Sequence, residues 1–513
     1  MKLQESVNER EFRGDETVLE LSGKLKTVES KVQVATEIKN NRALTRVDIS
    51  DNYIGNCDQL PDGWQLKTDS EWNYELKDGR TLPYGYRGQD EPPANSASTV
   101  IVALSAALCT NDTLTYLDLS RNRLGERMLP EGWVHSLVKD YEGNYECAIG
   151  MTEYGYTYMV DGTRQTEDPG TTPYGITQLA KAISTMGALQ TLIVRKNGLL
   201  HRKAGAALAS MLATNTVLTE LDVSDNGYYE EEDDGFGFAL EIVGGLATNR
   251  TLASLNLGDI NMSNYGEYND EVYTRHGHLL ANAFAANNGL KELDMTFNFL
   301  RISFLREFST CLRTHRTLET LRIGANNDIY TAEGAKLLNE IIADNPVLTE
   351  LDISGIRKVI PTECDASFFE TFSNGLRINT TLKRLNLSST CIGEDVSCYV
   401  ESVKNENHTR SIVALANAIR TNGTLEELRV NQNGLGDAES RVICEAMTWL
   451  ILRRLKCPTP LRVYGLQNIT QCRTVLRVLW ALGWLGKTRR STHVSAFQRL
   501  PEHLIVGILG AYC

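Results

Sequence analysis

The segment Leu114-Thr-Tyr-Leu117-Asp-Leu119-Ser-Arg-Asn122 shows a pattern that recurs along most of the chain. Aliphatic residues occupy its positions 1, 4 and 6, and asparagine occupies position 9. The pattern recurs in ten good copies, which begin at Leu44, Leu114, Leu189, Leu218, Leu252, Leu290, Leu318, Leu348, Leu382 and Leu425. A weaker copy at Val18 opens the series. Self-similarity of this kind predicts a repeat protein.

Each copy predicts one strand and one helix. Positions 4 and 6 alternate with polar residues, which is typical of a short half-buried strand. Residues 101–108 and 412–419, upstream of two copies, place apolar side chains at helical spacing. Successive copies such as Leu290, Leu318 and Leu348 lie 28 and 30 residues apart. A single unit of this size cannot bury its own apolar side, so the copies are expected to stack.

An asparagine follows many of the helices. We predict that it closes each helix, because asparagine tolerates the left-handed conformation that helix ends often adopt. The residues concerned are Asn111, Asn215, Asn249, Asn345, Asn379 and Asn422.

The motif L-x-x-L-x-L-x-x-N, over roughly residues 18–440, resembles the ribonuclease-inhibitor-like class of leucine-rich repeats. That class is also found in NOD-like receptors and Ran GTPase-activating proteins. The resemblance implies an α/β solenoid (horseshoe) with parallel strands on a concave face and helices on a convex face. Departures from the motif fall near Asn261, Gly355 and Thr390.

Composition divides the chain into three parts: a polar segment 1–17, a repeat array 18–442 and a basic tail 443–513. The tail holds ten Lys or Arg and two Glu, a formal charge of +8, and is expected to form a helical cap. The alternative role for the tail is a docking element for an acidic partner or an anionic membrane surface.

Two modules, at about 56–96 and 126–174, interrupt the array at the same edge. The two inserted modules resemble each other. Leu60-Pro-Asp-Gly-Trp64 in the first matches Leu129-Pro-Glu-Gly-Trp133 in the second, and Asp-Gly pairs between strand-like runs predict β-hairpins. The second module weakly resembles WW domains, which bind proline-rich peptides, although Glu167 stands where that family has its second tryptophan. The aromatic residues that form either small cores or peptide contacts are Trp64, Trp133, Tyr156 and Tyr158.

Charge and composition limit the classes of partner. Of 513 residues 42% are hydrophobic and 23% charged, and the net charge is −13, which disfavours nucleic acid. The sequence predicts neither a secretory signal nor a transmembrane segment. Eleven scattered cysteines include no Cys-x-x-Cys pair. These features predict a cytoplasmic protein, with the nucleus left open.

Motifs for chemistry are absent from the sequence. No Gly-x-x-x-x-Gly-Lys, His-Glu-x-x-His or Gly-x-Ser-x-Gly motif occurs. His276 and His278 have no ligand-spaced neighbours, and the acidic run 230–234 lacks the alternation of a calcium loop. The sequence therefore predicts no catalytic residues, no metal and no cofactor.

Surface residues remain as candidates for function. If the strands line a concave face, positions 3, 5 and 7 of each copy point from it. We expect this face to bind another protein, one with a basic surface, because half of position 5 is aspartate. The alternative is that Leu-Asp-Leu-Ser is simply structural in this class. The candidate residues are Asp48, Tyr116, Asp118, Glu220, Asp222, Glu292, Asp294, Arg322, Glu350, Asp352, Glu427 and Arg429.

Two further functions compete with a non-enzymatic scaffold. Ran GTPase-activating proteins use Arg and Asn on the loops after strands, and Arg121 and Arg123 hold such places here. Residues 497–509, with Leu500-Pro501, resemble the opening of an F-box, which implies a ubiquitin-ligase adaptor.

Overall fold

The computed structural model describes residues 16–55, 95–125, 172–227, 235–262, 270–355, 366–390 and 406–433, with shorter pieces between and beyond them. The chain divides into two compact units, Met1–Leu252 and Ala253–Cys513. Each unit is described by itself below.

The first unit contains a parallel sheet whose strands follow their order in the sequence. These strands are Val18–Glu20, Arg46–Asp48, Tyr116–Asp118, Thr191–Ile193 and Glu220–Asp222. Helices alternate with the strands along the chain. They are Val28–Asn40, Asn95–Thr110, Tyr174–Ile183, Arg202–Thr214 and Gly235–Leu246.

The second unit repeats the same arrangement. Its parallel strands are Ser254–Asn256, Glu292–Asp294, Thr320–Arg322, Glu350–Asp352, Arg384–Asn386, Glu427–Arg429 and Arg462–Tyr464. Its helices are Asp270–Ala285, Ile302–Thr314, Ala332–Asp344, Ala366–Ile378 and Glu406–Thr421, with a 3₁₀ turn at Asn327–Tyr330. The predicted α/β repeat fold, with parallel strands alternating with helices, is confirmed in each unit.

Short antiparallel strands occur in both insertions. In the first, Trp64–Leu66, Tyr74–Leu76 and Thr81–Leu82 pair in order. The strands in and beside the second insertion are Arg127–Met128, Trp133–His135, Leu137–Lys139, Tyr145–Cys147, Tyr158–Val160, Thr163–Gln165 and Thr172–Pro173. That these strands form modules folded on their tryptophans stays a prediction. The structure does not describe the side chains of Trp64, Trp133 and Tyr158, and Tyr156 lies wholly outside the described residues.

The sheet continues beyond the predicted end of the array at residue 442. Arg462–Tyr464 pairs in parallel with Glu427–Arg429. Leu461 and Val463 alternate with Arg462 there, so the local pattern is that of a strand although the full motif is missing. The rest of the tail, including the F-box-like segment, lies outside the described residues apart from helical residues 439–443 and 446.

The core is built from the repeated aliphatic positions. Positions 1, 4 and 6 of the copy at Leu114, which are Leu114, Leu117 and Leu119, are all fully buried. Each strand aligns with the next so that equivalent positions are partners, as Val47, Leu117 and Leu192 are. Burial of these rows removes the apolar side of every repeat from water, and this is the main favourable contribution to folding.

Buried asparagines at position 9 join consecutive repeats. The Asn122 Oδ1 accepts the backbone N–H groups of Asn52 (2.9 Å) and Ile54 (3.3 Å). Its Nδ2 donates to the carbonyl oxygens of Ile49 (2.9 Å) and Leu119 (3.0 Å). One side chain therefore satisfies backbone groups of two repeats that water cannot reach. Equivalent bonds are made by Asn52, Asn197, Asn226, Asn298, Asn326 and Asn433.

The predicted left-handed asparagine at helix ends is wrong. Asn215 and Asn345 have φ values of −76° and −80° and are extended. The Asn215 Oδ1 instead accepts the N–H groups of Val217 and Leu218, and its Nδ2 donates to the carbonyl of Ile183 in the preceding repeat. The side chain thus forms the turn into the next strand and bonds a carbonyl at the end of the preceding repeat's helix, without an unusual backbone conformation.

His315 takes the place of this asparagine after the helix Ile302–Thr314. Its Nδ1 accepts the N–H groups of Leu318 (3.2 Å) and Thr317 (3.4 Å), so this nitrogen must be unprotonated. Within the described part of the chain its buried Nε2 has no hydrogen-bond partner. Burial lowers the pKa of the His315 imidazole below its ordinary value.

We expect His315 to make the protein less stable in acid. The pKa of His315 is lower in the folded protein than in the unfolded chain, where it is about 6.5. Above that pH the imidazole is neutral in both states, so its titration does not reduce the stability of the protein. Stability then falls as the pH drops below that value, because the unfolded chain binds the proton more readily. His315→Asn should flatten this decline between about pH 7 and pH 5 in urea titrations. An unchanged pH profile would show that His315 does not cause it.

Candidate protein-binding face

Three rows of side chains lie on the side of the strands opposite the buried position 4. We call the residues at positions 3, 5 and 7 of each copy the strand face of their unit. In the first unit Arg46, Tyr116, Thr191 and Glu220 are aligned at position 3, and Asp48, Asp118, Ile193 and Asp222 at position 5. These side chains are half-buried or exposed. The face is therefore accessible yet ordered by the sheet beneath it.

Position-5 aspartates in the first unit hold the ends of their own strands. One oxygen of Asp118 accepts both the N–H (2.9 Å) and the hydroxyl (2.6 Å) of Ser120. Asp48 with Ser50 and Asp222 with Ser224 repeat the arrangement. Aspartate and serine two residues apart thus form a local turn.

The second unit uses the same device with aspartate or asparagine. Oδ1 of Asp294 accepts the N–H of Thr296 at 2.9 Å, and Oδ1 of Asp352 accepts that of Ser354 at 2.8 Å. Asn256 and Asn386 make the equivalent bond. Position 5 is therefore structural at these sites, and only the second carboxylate oxygen is left for another group.

Ion pairs cross the strand face of the second unit. The Arg322 guanidinium lies 3.5 Å from Glu292 and 3.5 Å from Glu350, in the strands on either side. Arg384 lies 2.5 Å from the other oxygen of Glu350. Each of these side chains is partly exposed, so the pairs add little stability but fix where the charges lie.

Two more polar pairs extend this network. Asn386 donates to the free oxygen of Asp352 at 2.7 Å, and Arg429 lies 2.7 Å from Glu427. Burial raises the pKa of the Asp294 carboxyl, and the charge of Asp352 adds to the rise, while bonds from Thr296 and the charge of Arg322 oppose it. Most candidate acids of this unit therefore already have a partner within the chain.

The first unit carries an aromatic side chain on its face. The guanidinium of Arg46 lies 3.5 Å from the centre of the Tyr116 ring. Burial raises the pKa of the Tyr116 hydroxyl, and the charge of Asp118 adds to this rise, so the phenol stays neutral. A cation stacked on a ring is a rigid contact surface with both polar and apolar parts.

Arg46, Arg195 and Arg384 were not among the candidates from the sequence. Arg195 lies 3.9 Å from Asp222 in the next strand. Arg46 could have been predicted as a neighbour of Tyr116, because the parallel register places position 3 of one copy beside position 3 of the next. The diagonal contact of Arg195 depends on its rotamer, for which the sequence carries no signal.

The two arginines considered for GTPase activation lie on one loop. Arg121 and Arg123 both have left-handed backbones, with φ of 57° and 58°. Arg121 is exposed, whereas the Arg123 guanidinium lies 4.7 Å from the centre of the Tyr53 ring. The loop therefore presents one exposed cation and one that is held against an aromatic ring.

Within the described residues, no three His, Cys, Asp or Glu side chains are grouped as a metal site requires. Over the same part of the chain, no helix has the length and apolar character needed to span a bilayer.

Comparison with known proteins agrees with this architecture. The family model "Leucine Rich repeat" matches residues 110–126, 214–227 and 379–395. The chain therefore contains leucine-rich repeats of the ribonuclease-inhibitor-like type. Repeats of this class are usually non-catalytic and typically bind other proteins.

Similar proteins include NACHT, LRR and PYD domains-containing protein 12 of Mus musculus. It is 25% identical over 416 residues, which are 79% of this chain and 34% of that protein, so the chain spans about a third of that relative. The structure of the leucine-rich repeat-containing protein LegL7 from Legionella pneumophila is 15% identical, with a TM-score of 0.37 over 58% of this chain and 82% of that one. Actin-binding site 2 of leiomodin-1 is 16% identical, with a TM-score of 0.25 over 32% and 86%.

Proposed function

We propose that the chain is a non-enzymatic scaffold that binds a protein with a basic surface through its strand faces. The observation that carries this proposal is the excess of acid on each face. The first unit has five acids and two bases, a net −3: Glu20, Asp48, Asp118, Glu220 and Asp222 against Arg46 and Arg195. The second has five acids and three bases, a net −2: Glu292, Asp294, Glu350, Asp352 and Glu427 against Arg322, Arg384 and Arg429. Such a surface raises the association rate of a basic partner.

The insertion edge supports the same function. The Gly55 N–H donates to the carbonyl of Asn122 at 2.8 Å, and the Gly125 N–H donates to that of Asn197 at 3.0 Å. The chain thus enters both insertions from neighbouring loops beside the strand face. An insertion at that place can enlarge a binding surface without altering the repeats beneath it.

The test reverses acids that do not hold a turn. Glu20 and Glu220 are exposed members of the first strand face, and no backbone N–H bonds to either carboxylate within the described residues. Their side chains can therefore be changed without loss of a strand end. Asp48, Asp118 and Asp222 are unsuitable, because their replacement would combine unfolding with lost binding.

For the double variant Glu20→Lys/Glu220→Lys, we expect about tenfold slower association with the partner that the full chain captures. Surface plasmon resonance at low and high salt should show that this difference shrinks as salt increases. Glu29→Lys, an exposed change in the first turn of the helix Val28–Asn40, is the matched control and should bind normally. Equal binding by all three proteins, or an equal loss in the control, would contradict the proposal.

A further inference from the structure

Two neighbouring copies of the first unit, those at Leu114 and Leu189, depart from the repeat pattern together. Tyr116 is the one aromatic residue at position 3 of the ten copies, Ile193 the one aliphatic residue at position 5, and Arg195 the one cation at position 7. With Arg46, which stacks on Tyr116, they run diagonally across three adjacent strands. We call these four residues the diagonal stripe.

Ile193 lacks the hydrogen bond that closes the strand in most other copies. Seven of the ten copies place Asp or Asn at position 5, and this side chain accepts the N–H of position 7. Isoleucine cannot accept a hydrogen bond, so the strand ends without this turn. A residue that breaks a local rule without structural return points to a role at the surface.

Cations lie at both ends of the stripe. The Arg46 guanidinium covers one face of the Tyr116 ring. At the other end Arg195 is about half exposed and its 3.9 Å contact with Asp222 is long for an ion pair. The Arg121 N–H donates to the Arg195 carbonyl at 2.9 Å, so the exposed Arg121 lies next to Arg195 and Lys196.

We propose that the diagonal stripe binds an extended acidic segment of the partner, with the pattern acid-x-apolar-x-acid. Side chains two residues apart point to the same side of an extended chain, so both acids and the apolar residue face the stripe. Tyr116 and Ile193 then contact the apolar side chain. Arg46 pairs with one acid, and Arg195, beside Arg121 and Lys196, pairs with the other. Tyrosine and arginine are enriched among the residues that dominate binding energy.

The spacing suits such a segment. Arg46 and Arg195 are two strands and four positions apart, which places their Cα atoms roughly 16 Å from each other at about 4.8 Å per strand and 3.3 Å per residue. The two acids of the pattern lie about 13 Å apart in an extended chain. The long arginine side chains cover the difference.

The neighbouring acids favour a peptide over a nucleic acid. Asp48 and Asp118 lie on one side of the stripe, and Glu220 and Asp222 lie on the other. A phosphate backbone carries a charge on every nucleotide and would lie against these acids. A peptide can place its two acids only where the cations are. This inference rests on the proposed function, because it assumes that a protein binds the strand face of the first unit. It adds that this otherwise basic partner carries one acidic segment.

Fluorescein-labelled peptides of defined pattern test the proposal on the full chain. Thr-Glu-Thr-Leu-Thr-Glu-Thr carries the proposed spacing, and Thr-Thr-Glu-Leu-Glu-Thr-Thr has the same composition with its acids moved together. We expect the first to bind more tightly in fluorescence anisotropy, and to exceed the lysine analogue Thr-Lys-Thr-Leu-Thr-Lys-Thr by about tenfold or more. Equal binding of the three, tighter binding of the lysine peptide, or tighter binding of a seven-nucleotide single-stranded RNA overturns the proposal.

Ile193→Asp is the decisive variant, because it restores the turn found in Asp48, Asp118 and Asp222 and should fold at least as well as the parent. It is expected to lose binding of the spaced acidic peptide while its unfolding midpoint stays the same or rises. Retained peptide binding would overturn the proposal. The two proposals can fail separately. If Ile193→Asp loses the peptide while Glu20→Lys/Glu220→Lys binds the captured partner normally, this inference holds and the proposed function fails.

Discussion

Replacement of Asn122 by alanine is expected to lower the free energy of unfolding by at least about 3 kcal/mol. The side chain is fully buried. Its removal leaves the N–H groups of Asn52 and Ile54 without their acceptor, and the carbonyls of Ile49 and Leu119 lose a donor. Each buried group left unpaired costs about 1–3 kcal/mol, and water cannot enter to replace the lost bonds. The measurement is equilibrium urea unfolding followed by circular dichroism.

The chain itself supplies a matched control for this loss. Thr390 occupies position 9 of its copy, where its hydroxyl donates to the carbonyl of Leu387 at 2.7 Å. We call the buried position-9 asparagines that join consecutive repeats the asparagine ladder. Threonine keeps one bond of this ladder but not the full set. Asn122→Thr should accordingly lie between the parent and Asn122→Ala. An Asn122→Ala protein as stable as the parent would mean that the ladder does not hold neighbouring repeats together.

Much of this fold follows from the sequence because its physics is local and repeated. The period of Leu114, Leu117 and Leu119 specifies both the strand and its buried side, and ten copies remove the ambiguity that one short apolar run would have. The asparagine at position 9 recurs with them, and its amide, which both donates and accepts, can bond neighbouring backbone groups. The left-handed helix end was wrong because the same amide can form the turn into the next strand through its side chain, which a residue type cannot reveal.

The strand face was less predictable. Asp118 two residues before Ser120 has the same sequence whether it binds a partner or its own backbone, and only the 2.9 Å and 2.6 Å bonds decide for the structural role. Arg322 reaches Glu292 and Glu350 diagonally across strands, a contact set by side-chain rotamers. The departures from the repeat, Ile193 and Arg195, were visible in the sequence, but their diagonal alignment with Tyr116 required the register.

A second large effect is expected at Tyr330, whose hydroxyl takes the place of a missing position-9 asparagine. In the copy at Leu348, position 9 is Ile356. The Tyr330 hydroxyl instead donates to the carbonyl of Ile353 at 2.6 Å, the position-6 carbonyl that asparagine binds in other copies. It also accepts the N–H of Ala325 at 3.3 Å, while the ring lies 5.6 Å from that of Phe368.

Two variants separate these contributions. Tyr330→Phe keeps the ring beside Phe368 and removes the hydroxyl, so it should cost about 1–3 kcal/mol for the unpaired Ile353 carbonyl. Tyr330→Ala also opens a cavity in the aromatic core and should cost about 3–5 kcal/mol. Urea unfolding of both proteins gives the two values. If Tyr330→Phe were as stable as the parent, the hydroxyl would not substitute for asparagine, and packing alone would explain the position. If both variants lost the same amount, the hydroxyl bond would account for the whole effect, and a repeat that lacks its asparagine would depend on this one donor from the neighbouring copy.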